Sequence, residues 1–426
     1  MKHIYTFSLL IYLLFSFSCG EEIDPISEKE YEELVKPNPN WWQSFRNGPE
    51  RTGYSSTAKT GRNVKEIWRV KGINTDSYGA AKGSPSVDDD TVYIGSDGTR
   101  ENDDQKIASK ARFTAFDRES GKQKWQVSFD GTTEGIHGSP SITEDTVYIG
   151  AYNGTLYALD KKTGEEKWRY KKGFQIGASP IFVPEHGRVY NTHERSSRGG
   201  GHIVAVDAKT GEEVWDYAIR AHPHSSVAVS IKRDMVYVGD NAARVHAIDS
   251  ITGEKVWEYQ LEQPGDSQSD IKSTPTIVED KGLLIVSAWS KKIHAFDLDT
   301  GDLKWEFDAG ASFMGSPSYA PKSEVVFVGS NNSKRTFYAI NVNDGKLIWK
   351  TESFSGIFLS SSAINADESL VIVGNSNGNV YAFDTKTGET VWKYDIGASV
   401  TSSPALVGTQ VFIAAKKGDL VALETK

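Results

Sequence analysis

One cysteine and three methionines are all the sulfur in this 426-residue sequence, and it has no surplus of basic charge. A lone cysteine, Cys19, excludes any disulfide within the chain. A net charge of −9, with no basic run beyond scattered lysine pairs, argues against nucleic acid, which needs a basic stripe or patch. After residue 18 no apolar stretch is long enough to span a bilayer. Low-complexity tracts are missing, apart from Gly199-Gly200-Gly201. No phosphate loop, G-x-S-x-G elbow or His/Cys cluster at metal-ligand spacing stands out.

What the sequence does hold is a repeat. Ser139 to Trp168 reads as one complete unit. Apolar and polar residues alternate through SITEDTVYIG and TLYALD, the period of half-buried strands. Asn153-Gly154 between them is a strong hairpin signal, and Lys162-Thr163-Gly164 makes a second tight turn. The ending A-x-D-x-x-[TS]-G-x-x-x-W recurs at Trp125, Trp168, Trp215, Trp257, Trp305, Trp349 and Trp392, while Trp68 has only its last part. By subtraction the spacings from Trp68 are 57, 43, 47, 42, 48, 44 and 43 residues. Such periods, with four short strands each, are those of propeller blades. The unit is split at the ends: Leu420–Lys426 is a third strand with no Trp strand after it, and Glu66–Val70 is a Trp strand that lacks the three strands before it. Joined, they make an eighth blade. The expectation is an all-β, eight-bladed propeller of four-stranded antiparallel blades over 40–426, closed by its N- and C-terminal strands, with the tryptophans as scaffold.

This repeat resembles the tryptophan-docking motif of quinoprotein (PQQ) dehydrogenases, shared by PQQ-like repeat lipoproteins of the BamB type. Trp41-Trp42-x-x-x-Arg46-Asn47 and Arg51-Thr-Gly-Tyr-Ser55 are similar to the opening of those proteins. The likeness spans Trp41 to the C-terminus. It is informative about fold and says little about chemistry.

Residues 1–18 have Lys2 and His3 ahead of a short apolar run, which ends at Ser18-Cys19-Gly20. This resembles a bacterial lipoprotein signal, with Cys19 as the acylated N-terminus, although Ser16 departs from the usual Leu. A plain secretory signal with an idle cysteine is the alternative. Residues 19–39 read as an acidic tether, with Ser27-Glu28-Lys29-Glu30 as a capping box for a short helix. The acidic start is similar to surface-export signals, or is simply a solvated linker. Localisation on the outer membrane, facing the periplasm or the cell surface, follows as an expectation.

In a four-stranded blade, the loop between strands two and three shares an end with the loop entering the next blade. The long examples of both kinds, in blades one, three and five, therefore fall on one face. The residues two before each S-P, or its equivalent, should ring the inner mouth there: Lys82, His137, Gly177, His224, Lys272, Met314, Leu359 and Thr401. Half of that ring is cationic or titratable and part is apolar, which suits an anionic ligand with a greasy body or an acidic loop of a partner. Filling or hydrating the channel is the plainer role. Trp289 offers a further aromatic platform, or buried filler.

Two functions follow. One is a non-catalytic, monomeric envelope lipoprotein, bound to the membrane by its anchor, that scaffolds a protein or a surface polysaccharide without a cofactor. The other is a dehydrogenase using PQQ and Ca²⁺; the resemblance implies an adjacent-cysteine disulfide and large insertions, both missing here. A polysaccharide-active propeller, needing clustered carboxylates or a Tyr/His pair at the mouth, is a third.

Overall fold

The computed structural model describes residues 38–426, except 75–82, 98–110, 133–134, 196–199, 262–269, 332–334, 353–355, 357 and 417. Cys19, the 1–18 leader, the capping-box helix and Lys82 lie outside the described residues.

Eight antiparallel sheets of four strands each make up the folded part. Blade two shows the unit: Ser141–Ile142, Thr146–Ala151, Thr155–Asp160 and Glu166–Lys171, running from the axis outward. Its turns form as the residue types require. Asp160 Oδ1 accepts the N–H groups of Lys162 and Thr163, each at 2.9 Å, so the D-x-x-T-G turn is tied by its own aspartate. One expectation changes. The alternation in Thr146–Ala151 implied a half-buried strand, yet every residue in it is buried. A blade is sandwiched between two others, so its middle strands have no solvent face. Only the outermost strand, Glu166–Lys171, keeps an exposed one.

The tryptophans join the blades. Each indole N–H donates to the carbonyl just after the turn aspartate, or its equivalent, of the next blade. Trp68 reaches Arg118 at 2.8 Å, Trp125 reaches Lys161 at 3.0 Å and Trp168 reaches Ala208 at 3.0 Å. Trp215, Trp257, Trp305 and Trp349 repeat this to Ser250, Leu298, Val342 and Thr385 at 2.8–2.9 Å. The ring then lies on the TG glycine of that turn. At Gly211 (φ +74°), an added Cβ would sit 2.6 Å from the Trp168 ring. Glycine is required there for both backbone and space.

The ring closes as the split unit implied. Val64–Asn74 pairs with Gly418–Thr425, Trp68 opposite Ala422, completing the sheet with Gln410–Ala414 and Ala405–Val407. At blade eight the acceptor comes from the N-terminal segment: the Gly61 carbonyl accepts the Trp392 N–H at 3.2 Å.

That segment does more than close the ring. Between Trp42 and Lys59 it runs around the axis as a strap, bonding to the innermost strand of blade after blade. Its carbonyls at Gln43, Pro49, Glu50, Thr52 and Gly53 accept the N–H groups of Ile142, Val229, Ile277, Tyr319 and Ile364. Lys59 donates to Gly408 in blade eight at 2.7 Å. Blade three is reached by a side chain instead: Arg51 donates to the carbonyls of Ser179 and Pro180 at 3.2 and 3.3 Å. Arg51 also bonds Val227 O, Phe45 O and Ser44 Oγ. Arg46 bonds Arg51 O, Ser316 O, Thr276 Oγ1 and Pro317 O. Both guanidinium groups are buried and rest on carbonyls. Burial lowers both, Arg51 to about 9 against the pull of Glu50, and Arg46 with the added push of Arg51; a guanidinium keeps its proton at neutral pH even so. The strap bonds near the far ends of the inner strands, so it floors the channel opposite the mouth.

Urea denaturation of four variants tests the docking and the strap. Trp168→Ala should cost about 3–5 kcal/mol in urea denaturation, and Gly211→Ala about 1–3 kcal/mol; parental stability in either would refute indole docking. Arg51→Met should cost about 3 kcal/mol or more, because several buried carbonyls lose their donor. Arg51→Lys should not restore it, since one ammonium cannot span blades three and four.

Candidate functional site

A cavity of about 130 Å³ opens on the axis at the mouth. His137, Gly177, His224, Lys272, Met314, Leu359 and Thr401 all line it. Thus the positions read from the repeat come together, Lys82 alone lying outside the described residues. Phe45 of the strap also lines the cavity, from the floor side. The loop faces agree too. Ile271, entering blade five, donates to Asp240 at the end of a second strand, and Asn74 Oδ1 accepts Asp97 N–H at 3.1 Å.

Below the mouth residues lies a tier that the sequence reading used as a marker but gave no role. It is the Ser or Thr of each S-P or equivalent, and its hydrogen bonds run in a complete circle. The backbone N–H of Ser84 donates to Ser139 Oγ, Ser139 to Ser179, and Ser179 to Ser226, each at 2.9 Å. Ser226 then donates to Thr274 at 3.2 Å, Thr274 to Ser316 at 2.9 Å, and Ser316 to Ser361 at 2.9 Å. Ser361 donates to Ser403 at 3.0 Å, and Ser403 back to Ser84 at 2.7 Å. Six of the eight precede proline, which holds the residue extended and supplies no N–H of its own.

Two clusters flank the cavity. On blades three and four, Glu194 is only 3% exposed. Its Oε1 lies 3.0 Å from His224 Nδ1, its Oε2 lies 3.4 Å from His222 Nδ1, and Gln175 Nε2 donates to it. Burial pushes the Glu194 carboxyl up; His224, Gln175 and His222 outweigh that and hold it below its usual value. The His222 and His224 rings stack at 5.6 Å, and His137 packs on Tyr152 at 4.4 Å. On blade five, Lys272 Nζ sits 4.9 Å over the Trp289 ring and 3.2 Å from Asp270. Trp289 is therefore half-buried beneath a cation beside the mouth. Glu194, Gln175, Tyr152 and His222 escaped the sequence reading because they lie outside the S-P frame.

A profile of the family described as outer membrane protein assembly factor BamB matches residues 52–224, 109–351 and 267–426 in overlapping stretches. The chain belongs to the BamB family. The crystal structure of BamB from Moraxella catarrhalis superposes with a TM-score of 0.63 at 18% identity, covering 85% of this chain and 98% of that one. A europium-containing methanol dehydrogenase gives 0.76 at 14% identity, covering 93% of this chain and 100% of that one. At such identities the likeness shows the fold alone. The "1-butanol dehydrogenase (quinone)" of Thauera butanivorans is 26% identical over 184 residues, 36% of this BamB-family chain and 28% of the relative. Across the curated relatives matched, the aligned part covers between 14 and 28% of their own length.

Burial also sets an acid response. His193, beside Glu194, donates Nδ1–H to Lys172 O at 2.8 Å; His294 is buried in blade five. Burial lowers both from 6.5 to about 4. As pH falls, the unfolded chain therefore takes up these protons first. Their contribution is whole above about 6.5 and is lost as pH falls through about 4, up to about 3 kcal/mol each. Glu194, held low, loses its contribution in the same direction. Urea midpoints should drop between neutral pH and pH ~4, and His193→Gln with His294→Gln should flatten that slope. An unchanged slope would contradict it.

Proposed function

We propose that this chain is a non-catalytic cell-envelope lipoprotein, held to the outer membrane through Cys19, whose propeller mouth binds a protein partner or a surface polysaccharide. The observation that carries this reading is the shape of the axis. A strap bonded around the ring floors one end, and the other opens as a small mouth with cations on one side and apolar groups on the other. A rigid ring with variable loops on one rim is a scaffold for recognition. The family's description as an assembly factor supports it.

PQQ and Ca²⁺ fit the described residues poorly. Pockets for ligands of that size take roughly 300–1,000 Å³, against about 130 Å³ here. Among the described residues, no three of His, Cys, Asp and Glu converge as a metal's ligands would.

Two contacts favour a second reading, action on an acidic polysaccharide. The Tyr152–His137 contact and the Glu194–His224 pair place proton-transfer groups at the rim.

Capture from cross-linked outer membranes tests the first reading. The chain should recover a discrete protein or glycan, lost with Lys272→Glu plus His224→Glu. Lys232→Glu, exposed on the opposite face, should keep it. Capture indifferent to the mouth would refute the reading. Ultraviolet absorbance from unsaturated uronates, abolished by Tyr152→Phe, would favour the second reading instead. Dye reduction with alcohols after loading PQQ and Ca²⁺ would favour the dehydrogenase.

A further inference from the structure

The eight hydroxyls of the axial circle are buried, none more than 5% exposed. Each oxygen already accepts a backbone N–H from its neighbour. Their own protons reach no acceptor among the described residues. Eight unused O–H donors therefore line one cavity of about 130 Å³. Buried donors without acceptors are costly, and a ligand that satisfies several at once binds well.

No carboxylate among the described residues lines the cavity itself. On the floor side, Arg46 donates to Ser316 O at 2.6 Å and Arg51 to Ser179 O at 3.2 Å, so both cations lie against residues of the circle itself. Neither has a carboxylate within ion-pair distance among the described residues; Glu50 acts on Arg51 from beyond that distance, and the direct partners of both guanidinium groups are carbonyls and hydroxyls. At the rim stand His137, His224 and Lys272. The carboxylates nearby are engaged: Glu194 with His222 and His224, and Asp270 with Lys272. A cation entering the cavity would approach two buried guanidinium groups and hydroxyl oxygens that each already share one lone pair with an N–H. An anion would meet hydroxyl, imidazole and ammonium donors among a few apolar groups, and no carboxylate in the described lining.

We infer that the axial cavity binds a single oxyanion group, a phosphate, sulfate or carboxylate, through the hydroxyl circle and the field of Arg46 and Arg51. The group arrives free or as the tip of a larger ligand. This deepens the partner-binding reading by giving the chemistry of what enters the mouth, yet free anions test it with no partner present.

Equilibrium dialysis of the full chain in a buffer without other oxyanions, with inorganic phosphate and separately with acetate, measures it. One anion should bind per chain. Tighter phosphate points to a free inorganic ion, and tighter acetate to a carboxylate of a larger ligand. Ser139→Ala with Ser316→Ala should weaken binding about tenfold or more, with folding checked by melting. Should that variant not fold, Met314→Glu places a carboxylate at the partly exposed rim and should weaken binding similarly. The inference falls if a normally folded chain shows no saturable binding. It also falls if binding survives the serine changes but is lost with Lys272→Met, which would place the anion on surface cations. A chain that binds no anion yet captures its partner through the mouth overturns the anion site and leaves the partner reading standing.

Discussion

Each blade is tied to the next by one indole, and the rest of the structure depends on that tie. A four-stranded blade has two apolar faces and cannot stand alone. Docking Trp168 on Gly211 and Ala208 covers a face and satisfies the indole N–H in one step. Repeated around the circle, this fixes the rotation from blade to blade. It also explains why the turn of each unit demands glycine. The ring of the preceding blade occupies the space that a side chain would need.

A ring made this way has an axis that must be filled. Here it is filled from one end. The strap places two buried arginines on inner-strand carbonyls and takes left-handed backbone at Arg46, Asn47 and Arg51 to do so. Such conformations cost energy for residues with a side chain, and the guanidinium bonds offset it. Closing the floor leaves one recess, at the opposite end, where the hydroxyl circle and the rim residues meet. Scaffold and site are thus one construction: the circle that joins the blades at the axis also presents their donors.

Much of this was legible in advance. Trp spacing and the split unit announced blade number and closure. Counting back from each S-P placed His137, His224 and Lys272 on one rim, because strand direction and period fix which end a residue occupies. Other features were not legible. Glu194 sits beside His222 and His224, 28 and 30 residues later by subtraction, only because blades three and four adjoin. Trp289 read as an aromatic platform or as buried filler, and nothing local showed that Lys272 would cover its ring. The strap read as an opening motif, without a hint that Arg46 and Arg51 would be buried.

By itself, the sequence determined what is periodic and local: strand alternation, aspartate-tied turns, glycine under indole, eight units and the join between the ends. These follow from hydrogen bonds and packing between residues close in the repeat. Only the tertiary structure decided what is cyclic. The serine circle, the shared field of two arginines and the Glu194 cluster each unite residues from different blades. No local rule encodes them, since they exist only once the wheel has closed.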